Sequence, residues 1–374
     1  MSPDPTKPPS TQRSGFERFN EDVALQLKLM GDRCPPYRRL LETLSEILSR
    51  PEGEAIAQRL AWSWDKRVFE SAYERPLLIL AALRYDALVE GEFHPLFEGI
   101  AAKEPQLRAI SGDKLLAAMA HDRIGFWITL RTRRVQTNEV SRAIAWVWPA
   151  ILAGCGDGKR PLGLVDIGAS AGLNLIADRL RLVWQRRGGA TIATPSTVDI
   201  RSRTGFDPRP LDVRRKEDCV WLEACIWPGE QARLKRLATA ISAFQHASPS
   251  PKLELARASS VPSLLEATSQ SVGGGGLVIA YQTLVHDYIP APEREPYKRG
   301  MDAWLLAGEA GARAWATLEL DDTSDAAFGC ALDVRVSSGS RIEAVRLART
   351  SYHPEVVDPV AGAEQRLTEL LARS

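Results

Sequence analysis

The sequence is poor in the residues that build disulfides and metal sites, and it has no long apolar run. Its 374 residues include 5 cysteines and 5 histidines, all scattered, with no C-x-x-C pair. An odd number of cysteines without paired spacing fits a protein of a reducing compartment better than a disulfide scaffold. The cysteines and histidines also lack the spacing typical of zinc ligands. No apolar run reaches the ~18 residues that a membrane-spanning helix needs. We therefore expect a cytoplasmic protein without a bound metal or a membrane anchor.

The chain also lacks a surplus of either charge. Lys and Arg together number 48, Asp and Glu number 47, and the net charge is +1. Such a balance does not indicate binding to nucleic acid or to an anionic membrane, so we expect a small-molecule substrate. The length suits two domains better than one.

The first part of the chain is predicted to be helical. Residues 1–15 are rich in proline, serine and threonine and lack the apolar core of a signal peptide, so they predict a disordered tail. Over residues 16–152 the apolar side chains recur at the helical period, as in Leu40, Leu41, Leu44, Ile47 and Leu48. No strand pattern precedes residue 162. We therefore predict an all-helical domain over 16–152.

The pattern changes after a glycine-rich loop at 153–161. LGLVDIG predicts a buried strand, and LNLIADRLRLVW after it predicts a helix. Further strand-like runs lie at 197–205, 252–257, 277–281 and 312–320, and helical patterns at 218–244, 261–269 and 292–307 separate most of them. This alternation predicts an α/β domain over 162–374 with a mostly parallel sheet.

The end of the chain predicts an antiparallel hairpin. Apolar residues alternate over 330–336, then SSGS and RIEAVRLA follow. The link from 320 to 328 is too short for a helical crossover, so the strand order at this edge stays open. A parallel sheet closed by such a hairpin is the arrangement of Rossmann-type methyltransferases.

The turn VDIGASAGLN, residues 165–174, carries the main functional signal. The S-adenosylmethionine pattern acid-x-Gly-x-Gly-x-Gly is matched at three of four positions, by Asp166, Gly168 and Gly172, with Ser170 at the middle glycine. Glycines let the backbone turn tightly and approach a ligand, and an acid suits a ligand that carries a sulfonium and an ammonium. We predict a cofactor-binding turn that also includes Ala169 and Asn174.

Other chemistries use similar turns. A dinucleotide fingerprint laid on Gly168 finds only one of its three glycines. The nucleophile elbow G-x-S-x-G is complete, with Ser170 as nucleophile and Asp321 or Asp333 plus His353 as partners. A hydrolase elbow follows earlier βα units, however, whereas the chain upstream of this turn is helical. A tight turn that binds nothing is the remaining alternative.

Later strands end in further polar residues. Asp207 is placed to accept hydrogen bonds from a ribose diol, provided that residues 185–196 are an insertion, or else it caps the turn before Pro208. Ser259 lies where an adenine-contacting acid is common, although Ser259 and Ser260 also suit a helix N-cap. Tyr281 and Gln282 fall at the carboxyl end of a strand, where open α/β sheets bind ligands, and His286 follows.

One polar segment of the helical part is also a candidate. Gln136, Asn138, Glu139 and Arg142 crowd the start of an apolar helix. Thr137 with Asn138 would suffice for a cap, so we predict that the other residues face the ligand crevice. Tyr281, His286 and Glu139 are the candidate catalytic residues.

The segments QTNEVSR, DIGASAGLNLIADR, GFDPRPLDV and WLEACIWPGEQARL resemble a bacterial family of unknown function, domain of unknown function 2332. The resemblance covers nearly the whole chain after Phe16. It implies a Rossmann-type methyltransferase with a helical N-terminal domain and S-adenosylmethionine as cofactor, but no substrate. Ala258 and Ser259 stand where the resemblance would place Gly-Asp.

We therefore expect an S-adenosylmethionine-dependent methyltransferase with a small-molecule acceptor. Methyl transfer is an in-line displacement, so positioning supplies much of the catalysis, and a base is needed only for a protonated acceptor. The alternatives are a non-catalytic module that binds the cofactor or a partner and, less favoured, a serine hydrolase built on Ser170.

Overall fold

A computed structural model describes residues 15–65, 67–136, 138–309, 311–321 and 328–372. The contacts group these residues into two units, one of 15–136 with 220–231 and one of 138–219 with 232–372. The predicted tail lies outside the described residues except for Gly15. Among the described helices, none is long and apolar enough to cross a lipid bilayer.

The first unit is helical, and no described residue before Leu162 belongs to a strand, as the sequence predicts. Its helices are α1 (Gly15–Met30), α2 (Pro35–Leu48), α3 (Glu54–Trp64), α4 (Glu74–Glu90), α5 (Phe97–Ile100), α6 (Gly112–Ala118) and α7 (Ile124–Thr132). Two prolines open α2, where the missing N–H donor costs nothing. Its apolar stripe, which includes Leu40 and Leu44, is fully buried.

The second unit contains a sheet of ten strands among the described residues. They are β1 (Leu162–Ile167), β2 (Val183–Arg186), β3 (Ile192–Ala193), β4 (Ile200–Asp207), β5 (Lys252–Leu255), β6 (Leu277–Thr283), β7 (Arg313–Leu320), β8 (Cys330–Ser338), β9 (Arg341–Thr350) and β10 (Val356–Pro359). The strand order is β3-β2-β10-β9-β8-β7-β6-β1-β4-β5.

The half of the sheet from β5 to β7 is parallel, which confirms the predicted α/β arrangement. Helix α11 (Val261–Val272) and helix α12 (Ala291–Leu306) supply the apolar side chains that pack against one face of β1 and β6. Helix α8 (Ile144–Leu152) and helix α13 (Ala363–Leu371) cover the other face. The two remaining helices, α9 (Lys216–Ala224) and α10 (Gln231–Gln245), follow β4.

Helix α8 packs on the sheet, although its residues were predicted to belong to the helical domain over 16–152. The helix is IAWVWPAIL, apolar on nearly every side, and most of its residues are buried. The Trp146 indole donates to the backbone oxygen of Asn174 at 2.9 Å, and the Trp148 indole donates to Glu364 of α13 at 3.0 Å. A helix that is apolar all round needs cover on all sides, and a sheet face provides it.

The predicted C-terminal hairpin is confirmed as β8 and β9, and β8 pairs antiparallel with β7. The antiparallel part extends one strand further than predicted, because β10 pairs antiparallel with β9. Residues 322–327, in the short link between β7 and β8, lie outside the described residues.

The helix predicted over LNLIADRLRLVW is wrong in its second half. A run of 3-10 helix covers Leu173–Arg179, and the chain then enters β2. Trp184 of β2 is buried, and Val356 of β10 pairs with Gln185. Strand β3 and the last two residues of β2 lie in the stretch 185–196 that was predicted to be an insertion. Their pairing joins segments far apart in the sequence, which local periodicity does not reveal.

Candidate functional site

The turn after β1 has an unusual backbone. Gly168, Ser170 and Gly172 all have positive φ, at 79°, 53° and 72°. Ser170 is the only one with a side chain, and an L-residue rarely adopts this conformation without a surrounding structure that enforces it. The backbone nitrogens of Gly168 and Ala169 both donate to the Phe206 oxygen on β4, at 2.8 and 3.1 Å. The turn is therefore held against the carboxyl end of β4.

The glycines of this turn face side chains of the same unit. A Cβ added to Gly168 would come within 2.4 Å of a Val285 methyl, in the loop after β6. One added to Gly172 would come within 2.6 Å of a Leu253 methyl on β5. These glycines thus permit close internal packing, a role that the sequence motif does not distinguish from close approach of a ligand.

Asp207 holds the turn from the end of β4. Its Oδ2 accepts from the Ser170 backbone nitrogen at 2.9 Å, and its Oδ1 accepts from the Arg209 backbone nitrogen at 2.7 Å. The second bond closes the turn around Pro208, which was the alternative role considered for this acid.

Four buried polar atoms at this end of the sheet lack a hydrogen-bond partner of normal geometry among the described residues. They are Asp166 Oδ2, Tyr281 OH, Ser170 Oγ and Asn138 Oδ1. Buried polar atoms are nearly always paired, so each such atom requires an explanation, and a bound ligand or water is the usual one. Asp166 and Tyr281 are register partners on adjacent strands and therefore share one face of the sheet.

The Asp166 carboxyl has a shifted pKa. Burial raises its pKa to about 7, the nearby Tyr281 hydroxyl opposes that rise, and the charge of Asp207 adds to it. The Tyr281 hydroxyl is thus close enough to act on the carboxyl without completing a normal hydrogen bond. Near neutral pH the carboxyl can either hold or release a proton.

The segment 138–143 lies over the turn. The Asn138 amide donates to the Ala169 oxygen at 3.2 Å. Asn174, in the amide orientation that its neighbours require, donates to the backbone oxygens of Glu139 and Val140, both at 3.2 Å. Gln136 belongs to the first unit. Thr137 lies outside the described residues. Asn138, Glu139 and Arg142 of the predicted crevice group are therefore in the second unit with the turn.

Glu139 is the centre of a cationic cluster. Its Oε2 accepts from Arg233 Nε at 2.8 Å, and its Oε1 accepts from Arg236 Nε at 3.2 Å. The ring nitrogen Nδ1 of His353 lies 3.7 Å from Oε2. Burial alone would raise the pKa of Glu139, but the charges of Arg233 and Arg236 outweigh it and lower the pKa well below its usual range. Glu139 is therefore ionised at neutral pH.

Gln282 and His286 lie around a second buried acid. The Gln282 amide donates to Glu319 at 2.7 Å and accepts from Tyr297 at 2.5 Å and from Trp315 at 3.3 Å, so both of its polar atoms are engaged. The His286 ring is exposed, and its Nδ1 lies 3.6 Å from Asp287. Burial raises the pKa of Glu319 to about 7, against the lowering effect of its bond from Gln282.

Ser259 has an acidic neighbour from another element. Its hydroxyl donates to Glu293 of α12 at 2.6 Å. Ala258 and Ser259 supply no acid after β5, and Glu293 brings a carboxylate to that position. Sequence reasoning missed Glu293, Glu319, Arg233 and Arg236. The two arginines recur at i, i+3 in a polar helix, a pattern that ordinarily marks a solvated face.

The partners proposed for a Ser170 nucleophile have other contacts. Asp321 and Asp333 both pair with Arg346, at 3.1 and 2.9 Å. His353 lies beside Glu139. The Ser170 hydroxyl makes no hydrogen bond with a described residue.

The described strands and helices define an α/β protein with a helical N-terminal region and a mixed sheet that is parallel in one half. The chain belongs to the family described as uncharacterized protein conserved in bacteria (DUF2332), whose model matches residues 26–358. No curated protein and no solved structure matches the chain.

Proposed function

We propose that this protein is an S-adenosylmethionine-dependent methyltransferase with a small-molecule acceptor. The cofactor site lies at the carboxyl ends of β1, β4 and β6. The observation that carries the proposal is the group of buried polar atoms without partners there, on Asp166, Ser170, Tyr281 and Asn138.

The topology supports this position. From β1 the chain builds outward through β4 and β5, then returns to the other side of β1 with β6 and β7. The strand order therefore reverses beside β1, and open α/β sheets bind ligands in the crevice at such a switch point. The order β5-β4-β1-β6-β7 with an antiparallel strand next to it fits the Rossmann-type methyltransferase arrangement predicted from the sequence.

The residues present fit the charged end of the cofactor. Asp166 offers a carboxylate, and Asn138 and Ser170 offer unpaired oxygens to an ammonium or a hydroxyl. We assign Asp207, which holds the turn from the end of β4, to the ribose diol. Glu293 beside Ser259 offers the acid that an adenine amino group requires.

The cofactor supplies the methyl group, so the protein contributes positioning and proton transfer. The Asp166 carboxyl has a pKa near 7 and lies beside the Tyr281 hydroxyl, so this pair can take a proton from a protonated acceptor. Glu139 is a poor base because its pKa is low, and we assign it to holding Arg233 and Arg236 in place.

Two tyrosines make a matched test. Tyr281 and Tyr297 are both buried, but of the two hydroxyls only that of Tyr297 completes a normal hydrogen bond, to Gln282. Tyr281→Phe should keep stability and weaken S-adenosylhomocysteine binding by about tenfold. Tyr297→Phe should lose about 1 kcal/mol of stability and keep the affinity. Calorimetric titration and chemical unfolding measure both.

The possible results separate the function classes. If the wild-type protein does not bind S-adenosylhomocysteine, the methyltransferase proposal is wrong. If it binds the ligand but transfers no methyl group to any of a set of small acids, alcohols and amines, a non-catalytic binding module is the better description.

A further inference from the structure

Arg142 differs from the other cations of the Glu139 cluster. Its Nε donates to the Tyr352 backbone oxygen at 2.9 Å. Its two terminal nitrogens donate to no residue that the structure describes. Only 7% of the residue is exposed, and it lacks an ionic partner of its own among the described residues.

The carboxylates of the cluster are engaged by other arginines. Glu139 accepts from Arg233 and Arg236, and Glu355 pairs with Arg236 at 2.8 Å. Both carboxylates are therefore engaged by arginines other than Arg142. His353 adds no charge, because burial and the charges of Arg233 and Arg142 hold its pKa well below its usual range. Among the described residues, Arg142 therefore has no carboxylate of its own within ion-pair distance.

A buried guanidinium without a counter-charge is costly, whereas an arginine fork matches a carboxylate or a phosphate well. Arg142 also lies at the functional end of the sheet. It interacts electrostatically with Glu139, with Cys330 at the start of β8 and with Tyr288 in the loop after β6. A ligand near the turn after β1 can therefore bring an anionic group to it.

We propose that Arg142 binds an anionic group, a carboxylate or a phosphate, of a small-molecule ligand of this protein. Glu139, Arg233 and Arg236 are positioning residues. Because Glu139 pairs with the two arginines of α10, it leaves Arg142 available to the ligand. This site requires no methyl transfer, and it stands whether or not the protein binds S-adenosylmethionine.

A matched control exists in Arg313. It is as buried as Arg142, with 7% exposed, but its terminal nitrogens donate to the Trp304 backbone oxygen at 2.7 Å and to Glu266 at 2.9 Å. Arg313 begins β7, at the opposite end of that strand from the turn. Arg313→Gln should therefore lose stability, while Arg142→Gln relieves a buried charge and loses only the bond to Tyr352.

The test uses inorganic phosphate as the probe. The thermal midpoint of the full chain is measured over a phosphate series at constant ionic strength, because a ligand of the native state raises the midpoint with concentration. Phosphate also stabilises proteins by exclusion from their surface, and that effect is the same in all variants. The additional, saturable rise should be present in the wild-type protein and in Arg313→Gln.

In Arg142→Gln the apparent dissociation constant for phosphate should rise about tenfold or more, and Arg142→Lys should fall between the two. An unchanged saturable rise in Arg142→Gln overturns the proposal. So does a wild-type protein that shows only the exclusion effect.

A competition experiment identifies the source of the anionic group. If phosphate and S-adenosylhomocysteine bind together, Arg142 serves the acceptor, and if they compete, it serves the carboxylate of the cofactor. Both outcomes support an anion site at Arg142. A protein that binds phosphate through Arg142 but never S-adenosylhomocysteine contradicts the proposed function and leaves the anion site intact.

Discussion

Asp166 on β1 and Tyr281 on β6 stand directly opposite each other in the parallel register, both buried. Neither the carboxyl Oδ2 nor the phenol oxygen completes a normal hydrogen bond with a described residue. The pair lies where the strand order reverses, so the protein keeps a polar group of high energetic cost at the edge where open α/β sheets bind ligands.

The raised pKa of Asp166 predicts a specific pH dependence of stability. The pKa is about 7 in the folded protein against 3.8 for a free carboxyl, so the folded state binds the proton more tightly. The stabilisation by this bound proton is complete below pH 3.8 and is lost as the pH rises through 7. Asp166→Asn should remove this loss, which amounts to about 4 kcal/mol at most. Urea unfolding of both proteins at several pH values measures it.

Burial raises the pKa of Glu319 as well, so part of the pH dependence should persist in Asp166→Asn. It should vanish only in the double variant Asp166→Asn with Glu319→Gln. Parallel stability curves for the wild-type protein and Asp166→Asn would show that Asp166 is not buried as described.

Two serines distinguish the proposed cofactor site from a hydrolase elbow. The hydroxyls of Ser170 and Ser202 are both buried and unpartnered, but Ser202 lies near the amino end of β4. Because neither hydroxyl has a partner to lose, both changes to alanine should leave stability within about 1 kcal/mol. Ser170→Ala should change S-adenosylhomocysteine affinity by less than about tenfold. If the wild-type protein hydrolyses esters, and Ser170→Ala abolishes this activity while Ser202→Ala does not, the protein is a hydrolase instead.

Glu139→Gln should destabilise the protein, because it removes the charge of a buried carboxylate that pairs with both Arg233 and Arg236. We expect a loss of about 3–5 kcal/mol, the usual result of removing one partner of a buried ion pair. The low pKa of Glu139 means that its contribution is present above the usual carboxyl pKa and is lost as the pH falls through the folded value. Chemical unfolding at neutral and acidic pH measures both effects.

The comparison variant for Glu139 is Asp358→Asn. Its partner Arg187 is mostly exposed, at 3.3 Å, so this pair should contribute less than about 1 kcal/mol. A Glu139→Gln protein that keeps its stability but loses turnover would return Glu139 to the catalytic role that the sequence suggested.

Gly168 and Val285 should be energetically coupled. Gly168→Ala places a methyl group within 2.4 Å of a Val285 methyl and adds strain at a positive φ, so it should destabilise the protein. Val285→Ala makes room and should recover part of the loss, with a coupling energy of about 0.5–3 kcal/mol in a double-mutant cycle. Additive losses would show that the two residues are not in contact.

The parallel half of the sheet and the C-terminal hairpin could be predicted because each strand is a local apolar run bounded by turns. Strands β2, β3 and β10 could not, because only their mutual pairing identifies them. Trp184 shows the difficulty: it completes an apparent helical pattern, and its burial depends on strands supplied by distant segments.

The residues of the candidate site also fall into those that the sequence predicts and those that it does not. Asp166, Ser170 and Tyr281 could be placed from the ends of predicted strands, and Glu139 from its crowded polar segment. Arg233 and Arg236 could not, because a helical sequence does not say which buried acid its arginines reach. The glycines of the motif also remained ambiguous until Val285 was known to lie against Gly168.

The pairing of β10 with β2 has a consequence for the order of folding. Gln185 of β2 pairs with Val356 of β10, so the ribosome must synthesise all residues between them before these two strands can pair. Contacts of such long sequence separation are slow to form. The peptide between β9 and β10 carries Tyr352 and His353, and the Trp184 indole donates to the Ser141 oxygen at 2.7 Å. The surroundings of Arg142 are therefore completed late, and a chain arrested before β10 would carry the turn motif without its cationic neighbour in place.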